Sequence, residues 1–275
     1  MRLFRSLALG IFLLYLALLP GSMLVVALDR VPAWGDWMGG LLLLLQGAAV
    51  LSWLIGRYGR RGALAAVPVF LVAWGVEHLG VTTGFPFGRY EYTATLQPQF
   101  FGVVPLPIAC AWLMVGFGAW QLAGGERGAR APGRTALVAA TLVLALDLQI
   151  ETVATRVNSY WVWFDSGPYY GVPTANFIAW WLVGLAIALA IQRSLPGRQV
   201  PALARRGWAG ELTRIIPAAL YLLNTLMFAV VNLARGYPLA GMLGVVTLLV
   251  LALWRAQLRL YLPPLVVHPD ASEAE

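Results

Sequence analysis

The strongest constraint on this chain is a series of long apolar segments, separated by short loops that are rich in arginine or in aromatic residues. A helix needs roughly 20 apolar residues to cross a bilayer core about 30 Å thick. Only 11% of the residues are charged, against about 25% in soluble domains, so the chain cannot cover a water-exposed surface. We predict an all-α, polytopic membrane helix bundle with about eight transmembrane helices. The eight segments are Leu7–Leu28, Trp37–Ile55, Ala63–Leu79, Phe101–Ala123, Ala136–Thr155, Asn176–Ile191, Ile215–Leu233 and Leu239–Leu262.

The distribution of arginine predicts the orientation of the bundle. All 19 basic residues are arginine; 15 lie at the amino terminus, in alternate loops and near the carboxyl end, and four lie in the opposite loops. An excess of positive charge marks the cytoplasmic side, so both termini are predicted to be cytoplasmic in a multi-pass protein of the cytoplasmic membrane. Residues 1–264 would form a single integral membrane domain, followed by a disordered cytoplasmic tail over 265–275. The first segment resembles a signal peptide but is long and lacks a clear cleavage site, which favours a retained helix.

Composition also narrows the chemistry. A single cysteine, Cys110, excludes a disulfide framework and a thiolate-held metal or iron–sulfur cluster. Two histidines, His78 and His268, are too few for a histidine-rich di-iron site or a bis-histidine haem. The net charge of +7 comes from arginines in short loops, which favours contact with anionic lipid and argues against a nucleic-acid partner. No phosphate loop or dinucleotide fingerprint is present, and we expect neither a cofactor nor a metal.

Two loops on the predicted extracytoplasmic side are dense in aromatic residues and glycine: Thr82–Phe100 and Arg156–Ala175. Such loops could serve as an aromatic belt at the membrane interface. Alternatively they fold back as lids or re-entrant pieces around a cavity, where irregular backbone is tolerated at membrane depth.

An internal repeat favours the second interpretation. Pro105 precedes Trp112 by seven residues, and Pro173 precedes Trp180 by the same interval. Each pair follows a helix that carries a glutamate and then an aromatic loop. Both units run outward, through the loop and back, which predicts parallel repeats over 63–123 and 136–191, related by an axis along the membrane normal.

Acidic residues within the apolar segments are the candidates for chemistry, because ionisable groups in a membrane are costly and mark functional sites. Asp147 and Glu151 share one helical face, about 6 Å apart along the axis. Two such carboxyls in a low dielectric should not both be ionised, and a neutral one is a usable proton donor. Glu77 and His78 form a second candidate pair.

Each of these pairs also has a structural alternative. A buried carboxylate could simply pair with Arg89 or Arg156, or bond to a backbone group. Asn224 and Asn232, on related faces of the seventh segment, are expected to act as hydrogen-bonding links between helices. Composition alone fits a membrane enzyme and a proton-coupled transporter almost equally well. The apolar and aromatic surroundings of the acids nevertheless favour a hydrocarbon ligand.

The segments around these residues resemble a known family. The run Trp74–Gly80, with Glu77-His78-Leu79-Gly80, is followed by Thr83–Tyr92, which reads TGFPFGRYEY. Together with Leu146-Asp147-Leu148 and with Tyr169–Pro173 followed by Asn176, Phe177 and Trp180, this is similar to the membrane carotenoid biosynthesis family that includes the carotenoid 1′,2′-hydratases. The resemblance covers roughly Trp74 to Leu182.

This resemblance implies addition of water across the terminal double bond of an acyclic ψ end group, giving a tertiary alcohol. The substrate would be γ-carotene, lycopene or a related long polyene, including bacterioruberin precursors. The resemblance implies no organic cofactor, and other enzymes of the carotenoid pathway are possible partners. The rivals are a non-catalytic carotenoid-binding or assembly protein and a proton-coupled transporter.

Under this hypothesis a buried carboxyl, Asp147 or Glu151, delivers the proton, and Glu77 or His78 orients the water and takes its proton. The spacing does not decide which carboxyl is the acid and which is the base. Electron-rich rings would stabilise the carbocation through their π faces. The residues expected to contact substrate are Arg89, Tyr90, Glu91, Tyr92, Trp161, Trp163, Tyr169, Tyr170, Asn176 and Trp180.

Overall fold

The computed structural model describes residues 1–127, 132–195 and 208–260, and this part of the chain is almost entirely helical. Six of its helices are long and apolar enough to cross a membrane, and two shorter apolar helices accompany them. The prediction of an all-α, multi-pass bundle is therefore confirmed. The helices are α1 (Arg2–Ala27), α2 (Met38–Tyr58), α3 (Arg60–Thr83), α4 (Leu106–Leu122), α5 (Pro132–Thr152, continued by a π-helical turn, Val153–Val157), α6 (Thr174–Ser194), α7 (Trp208–Arg214), α8 (Ile216–Ala234) and α9 (Pro238–Leu260).

The observed helices depart from the predicted segments in three places. Helix α3 is 24 residues long, so the short third segment is a complete span. Helix α4 begins at Leu106 because the chain before it forms a small hairpin of β2 (Gln99–Phe100) and β3 (Val104–Pro105). Helix α7 was not predicted, because it lies in the arginine-rich stretch between two apolar segments. The predicted tail, 265–275, lies outside the described residues.

Four helices form two similar units at the centre of the bundle. Helix α3 with α4 makes the first unit and α5 with α6 the second, and α3 packs against α6 while α4 packs against α5. The loops of the two units pair through an antiparallel ribbon of β1 (Tyr90–Tyr92) and β4 (Trp161–Trp163). Trp112 and Trp180 stack with their ring centroids 4.0 Å apart. The parallel repeats over 63–123 and 136–191 stay a prediction.

Glycines and amides set the packing of the outer helices around this centre. A Cβ at Gly47 of α2 would lie 2.5 Å from the Cβ of Cys110 in α4. The two helices can approach this closely only because residue 47 is a glycine. Asn224 of α8 donates to Gln46 of α2 at 3.0 Å, and Asn232 donates to the Gln149 carbonyl of α5 at 2.9 Å. Both asparagines thus link helices, as expected from the sequence.

The contact at Gly47 provides a test of the packing. Gly47→Leu should lower the free energy of unfolding by about 1–3 kcal/mol, because the new side chain meets the α4 backbone. Thermal unfolding of the detergent-solubilised protein, followed by loss of the monodisperse peak, measures the change. Gly75→Leu in α3 is the matched control, since a Cβ there meets nothing within 4 Å. Equal melting temperatures for the two variants would contradict this packing.

Candidate active site

Two glutamates occupy equivalent positions in the two units. Glu77 lies six residues before the end of α3 at Thr83, and Glu151 lies six residues before Val157. At 1.5 Å per residue, both lie about 9 Å along the helix axis from the end that carries the aromatic loops, here called the outer face. Both are buried, with 4% and 1% of their surface exposed. Both line the same cavity, whose volume is about 820 Å³.

The first aromatic loop supplies the hydrogen bonds to Glu77. Tyr90 and Tyr92 donate their hydroxyls to Oε2 at 2.6 and 2.8 Å, and Trp112 donates its indole N–H to Oε1 at 3.0 Å. The two tyrosines reach the same carboxyl because alternate residues of a strand share one face, while Glu91 between them is exposed. Burial, with Glu77 alongside, raises the pKa of both Tyr90 and Tyr92, so these phenols keep their protons.

The second aromatic loop supplies hydrogen bonds to Glu151, from indole groups in place of phenols. Trp161 and Trp163 donate their indole N–H groups to Oε2 at 3.3 and 3.0 Å. Asn176, at the start of α6, donates its amide to Oε1 at 3.0 Å. The strand register places Tyr90 opposite Trp163 and Tyr92 opposite Trp161. The ribbon therefore carries four aromatic side chains that bond to the two glutamates, and it closes over the site as a lid.

Asp147 lies one helical turn deeper than Glu151 and differs from it in its contacts with the cavity and in its hydrogen bonds. The Asn176 amide also reaches Asp147 Oδ2, at 3.3 Å, which confirms that Asp147 and Glu151 share a face of α5. Asp147 is fully buried, does not line the cavity, and its Oδ1 accepts no hydrogen bond from the described residues.

The three buried acids have no arginine partner in the part of the chain that the structure describes. Among the described residues, none of the salt bridges includes Glu77, Asp147 or Glu151. Arg89 instead pairs with Asp165 in the second loop at 2.9 Å, and Arg156 donates to the Tyr170 carbonyl at 2.8 Å. The arginines near the site hold the loops together.

The structure separates His78 from Glu77, although the two are consecutive. Neighbouring residues of a helix point about 100° apart, and His78 stacks on Trp74 with ring centroids 5.1 Å apart. It does not line the cavity. A joint role for Glu77 and His78 at one reacting group therefore does not fit this geometry.

Of the ten residues predicted to contact substrate, some line the cavity and others do not. Six of them line the cavity: Tyr90, Tyr92, Trp161, Trp163, Asn176 and Trp180. The other four do not line it. Arg89 and Glu91 are on the outside of the ribbon, Tyr169 donates its hydroxyl to the Leu148 carbonyl at 2.6 Å, and Tyr170 packs against Tyr237. These four residues support the loops and lie away from the cavity.

The far wall of the cavity was hard to predict from the sequence. Helices α1, α2 and α8 form it, with mostly apolar side chains, and the amides of Gln46 and Asn224 lie at its floor. Two isolated amides in apolar helices, Gln46 and Asn224, are the signals for this wall in the sequence. The position of these amides relative to the glutamates depends on how α1, α2 and α8 pack onto the four central helices.

The chain was compared with known proteins. A family model described as "Carotenoid biosynthesis protein" matches residues 38–251. The chain is also similar to the bisanhydrobacterioruberin hydratase of Haloarcula japonica, with 32% identity over 132 residues. This similarity covers 47% of the chain and 44% of the relative, so the chain matches less than half of that protein's length. No solved structure matches the chain.

The ion pair that joins the two aromatic loops predicts a dependence on pH. Hydrogen bonds from Arg89 lower the pKa of Asp165, so the stability from this pair is present above the unfolded value of about 3.9. This stability is lost as the pH falls through the lower pKa that Asp165 has in the folded protein. We expect wild type to resist thermal unfolding better than Asp165→Asn at pH 7, and this advantage to shrink below about pH 4. Glu91→Gln, an exposed change on the same ribbon, is the control and should show no such difference.

Proposed function

Because the chain belongs to the carotenoid biosynthesis protein family, we propose that it hydrates the terminal 1′,2′ double bond of an acyclic ψ end group on a long polyene. The product would be a tertiary alcohol. The named activity of the Haloarcula relative supports a hydro-lyase of this kind. The observation that carries the proposal is the pair of buried glutamates that face one apolar and aromatic cavity and have no cationic partner among residues 1–127, 132–195 and 208–260.

The reaction balances without an oxidant or reductant. A proton adds to C2′ of the alkene, which leaves a tertiary carbocation at C1′. Water attacks C1′ through its oxygen and then loses a proton to a base. The protein must therefore supply one acid, one base, a place for one water molecule and an environment that tolerates a transient positive charge.

The hydrogen-bond donors favour Glu151 as the base. An indole N–H is a donor only, so Trp161 and Trp163 satisfy a carboxylate but offer no acceptor to a carboxylic proton, and Asn176 adds a third N–H donor. An anionic Glu151 can orient a water molecule at the cavity wall and take its proton.

The same reasoning favours Glu77 as the acid. A phenol hydroxyl both donates and accepts, so Tyr90 and Tyr92 can serve either protonation state of Glu77 by rotating their O–H bonds. Glu77 can then hold a proton, deliver it to the alkene and be reprotonated. The sequence-based hypothesis placed the acid at Asp147 or Glu151, but the spacing did not decide which carboxyl was acid and which base; the donors favour Glu77 as the acid.

In this scheme Asp147 does not touch the substrate. A fully buried carboxyl with a free oxygen and no cation is best accommodated as a neutral acid. A neutral Asp147 leaves the single negative charge of the pair on Glu151. Its role would be to position Asn176, which bonds to both acids.

The walls of the cavity suit the carbocation. Trp161, Trp163 and Trp180 line it, and each π face that meets the cation in a desolvated site contributes about 0.5–2 kcal/mol. A proton-coupled carrier would need a polar path to both sides of the membrane. Among the described residues, the cavity lining extends from the outer rim only to Gln46 and Asn224, which favours catalysis over transport.

Isosteric variants test the assignment of roles. Glu77→Gln and Glu151→Gln should each lower conversion by about 100-fold or more, the usual contribution of a general acid or base. Asp147→Asn, which keeps a neutral group of the same shape, should retain activity within about tenfold of wild type. Conversion is measured in cells that make acyclic carotenoids, as product heavier by one water per modified end, at matched levels of membrane-inserted protein. Full activity in both glutamine variants would refute the acid–base scheme.

Isotope labelling tests the reaction itself. In water enriched in heavy oxygen the new hydroxyl should carry the label, and in deuterated water one deuterium should appear on the adjacent carbon C2′. Mass spectrometry of the extracted pigment measures both. Hydroxyl oxygen derived from dioxygen would indicate an oxygenase, and binding of polyene without any mass change would indicate a carotenoid-binding protein.

A further inference from the structure

Helix α1 closes one side of the cavity and is tied to α8 at two levels. Near the middle of the bundle, Asn224 donates to the Tyr15 hydroxyl at 3.3 Å. At the outer face, Arg235 forms a salt bridge with Asp29 and donates to the Val26 carbonyl at 3.4 Å. Both ends of this stretch of α1 are therefore held against the neighbouring helix.

Between these ties, the wall formed by α1 is thin. Ala17 and Gly21, one helical turn apart, both line the cavity and are both exposed. A Cβ built on Gly21 meets nothing within 4 Å. Pro20 has no N–H to offer the Leu16 carbonyl, so the backbone is less constrained at this turn. On the neighbouring α8, the long side chains of Met227 and Phe228 line the same cavity and are half-buried.

The remaining exposed residues of the cavity lining form a separate opening at the outer rim. They are Asp29, Val31, Trp34, Asp36 and Ser159. This rim faces water and carries two carboxylates. An apolar chain that crossed it would expose its surface to water, at a cost that grows with the exposed area.

The depth of the thin wall matches the depth of the glutamates. Gly21 lies six residues before the end of α1 at Ala27, or about 9 Å from its outer end, as Glu77 and Glu151 do in their helices. A polyene as long as a carotenoid spans much of the bilayer core of about 30 Å, so only its end group can lie at the glutamates. The rest of the chain must leave the cavity within the hydrocarbon layer.

We propose that the polyene reaches the glutamates sideways from the hydrocarbon layer, through a lateral window bounded by Ala17 and Gly21 of α1 and by Met227 and Phe228 of α8. This proposal rests on the proposed function, because it takes a polyene end group as the ligand. The window lets the end group reach the acids without passing through water, while the remaining chain stays among lipids.

Blocking the window tests the proposal. Gly21→Phe fills space that is empty in the wild type, so the fold should tolerate it and the path should narrow. Gly10→Phe is the matched control, because Gly10 is on the same helix, also meets nothing within 4 Å and does not line the cavity. Val31→Phe narrows the outer rim instead. Each protein is reconstituted in lipid nanodiscs, and lycopene is added from donor vesicles.

The primary measurement is the rate at which lycopene quenches tryptophan fluorescence, which reports association whether or not hydration follows. Gly21→Phe should slow association by about tenfold or more, within the range by which mutants of one interface alter association rates. Gly10→Phe and Val31→Phe should match wild type. A short acyclic terpene with the same end group should still bind to Gly21→Phe, because it needs no open window for a trailing chain.

The outcomes separate the two proposals. If wild type binds lycopene but leaves its mass unchanged, hydration is refuted, while the slow association of Gly21→Phe still supports the window. If Gly21→Phe associates as fast as Gly10→Phe, the window is refuted whatever the activity. If Val31→Phe alone slows association, the polyene passes through the rim and the window is likewise refuted.

Discussion

Carboxyl groups held within a hydrocarbon layer, with no cation paired to them in the described ranges, are the constraint around which this protein is organised. Glu77 and Glu151 must take their hydrogen bonds from neutral donors, and their own helices cannot supply enough of them. Each aromatic loop therefore folds back to bring indole and phenol donors to the acid of its own unit. The pairing of β1 with β4 follows, because the two acids that the loops reach line the same cavity. The lid over the cavity is thus a product of satisfying the acids.

The two units use one scaffold for two kinds of donor. Two tyrosine hydroxyls bond to Glu77, whereas two indole N–H groups and the Asn176 amide N–H bond to Glu151. Under the proposed function, these different donors would hold the two acids in different protonation states, as an addition reaction needs from its acid and base. The stacked pair of Trp112 and Trp180 lies where the units meet, and Trp112 also bonds to Glu77. Trp112 thereby links the packing of the bundle to the hydrogen bonding of a buried acid.

Much of the fold followed from the sequence, because the length of an apolar run and the bilayer thickness together fix a spanning helix. The i, i+4 spacing of Asp147 and Glu151 set their common face, and the Asn176 amide meets both. Helical spacing does not say which neighbour a face meets, so it could not separate Glu77 from His78 or remove Asp147 from the cavity wall. Arg89 was a possible partner for a buried acid until the strand register placed it beside Asp165, 76 residues away. Long-range pairing of this kind leaves no periodic signal in a single chain.

The position of the glutamates about 9 Å below one face has a consequence for what leaves the site. A pure hydrocarbon has no preferred depth in a bilayer, whereas an alcohol is an amphiphile that settles with its hydroxyl toward water. If hydration takes place at this level, the new hydroxyl forms on the half of the membrane where it will anchor. The pigment would then leave the protein already oriented, with no need to turn over across the membrane.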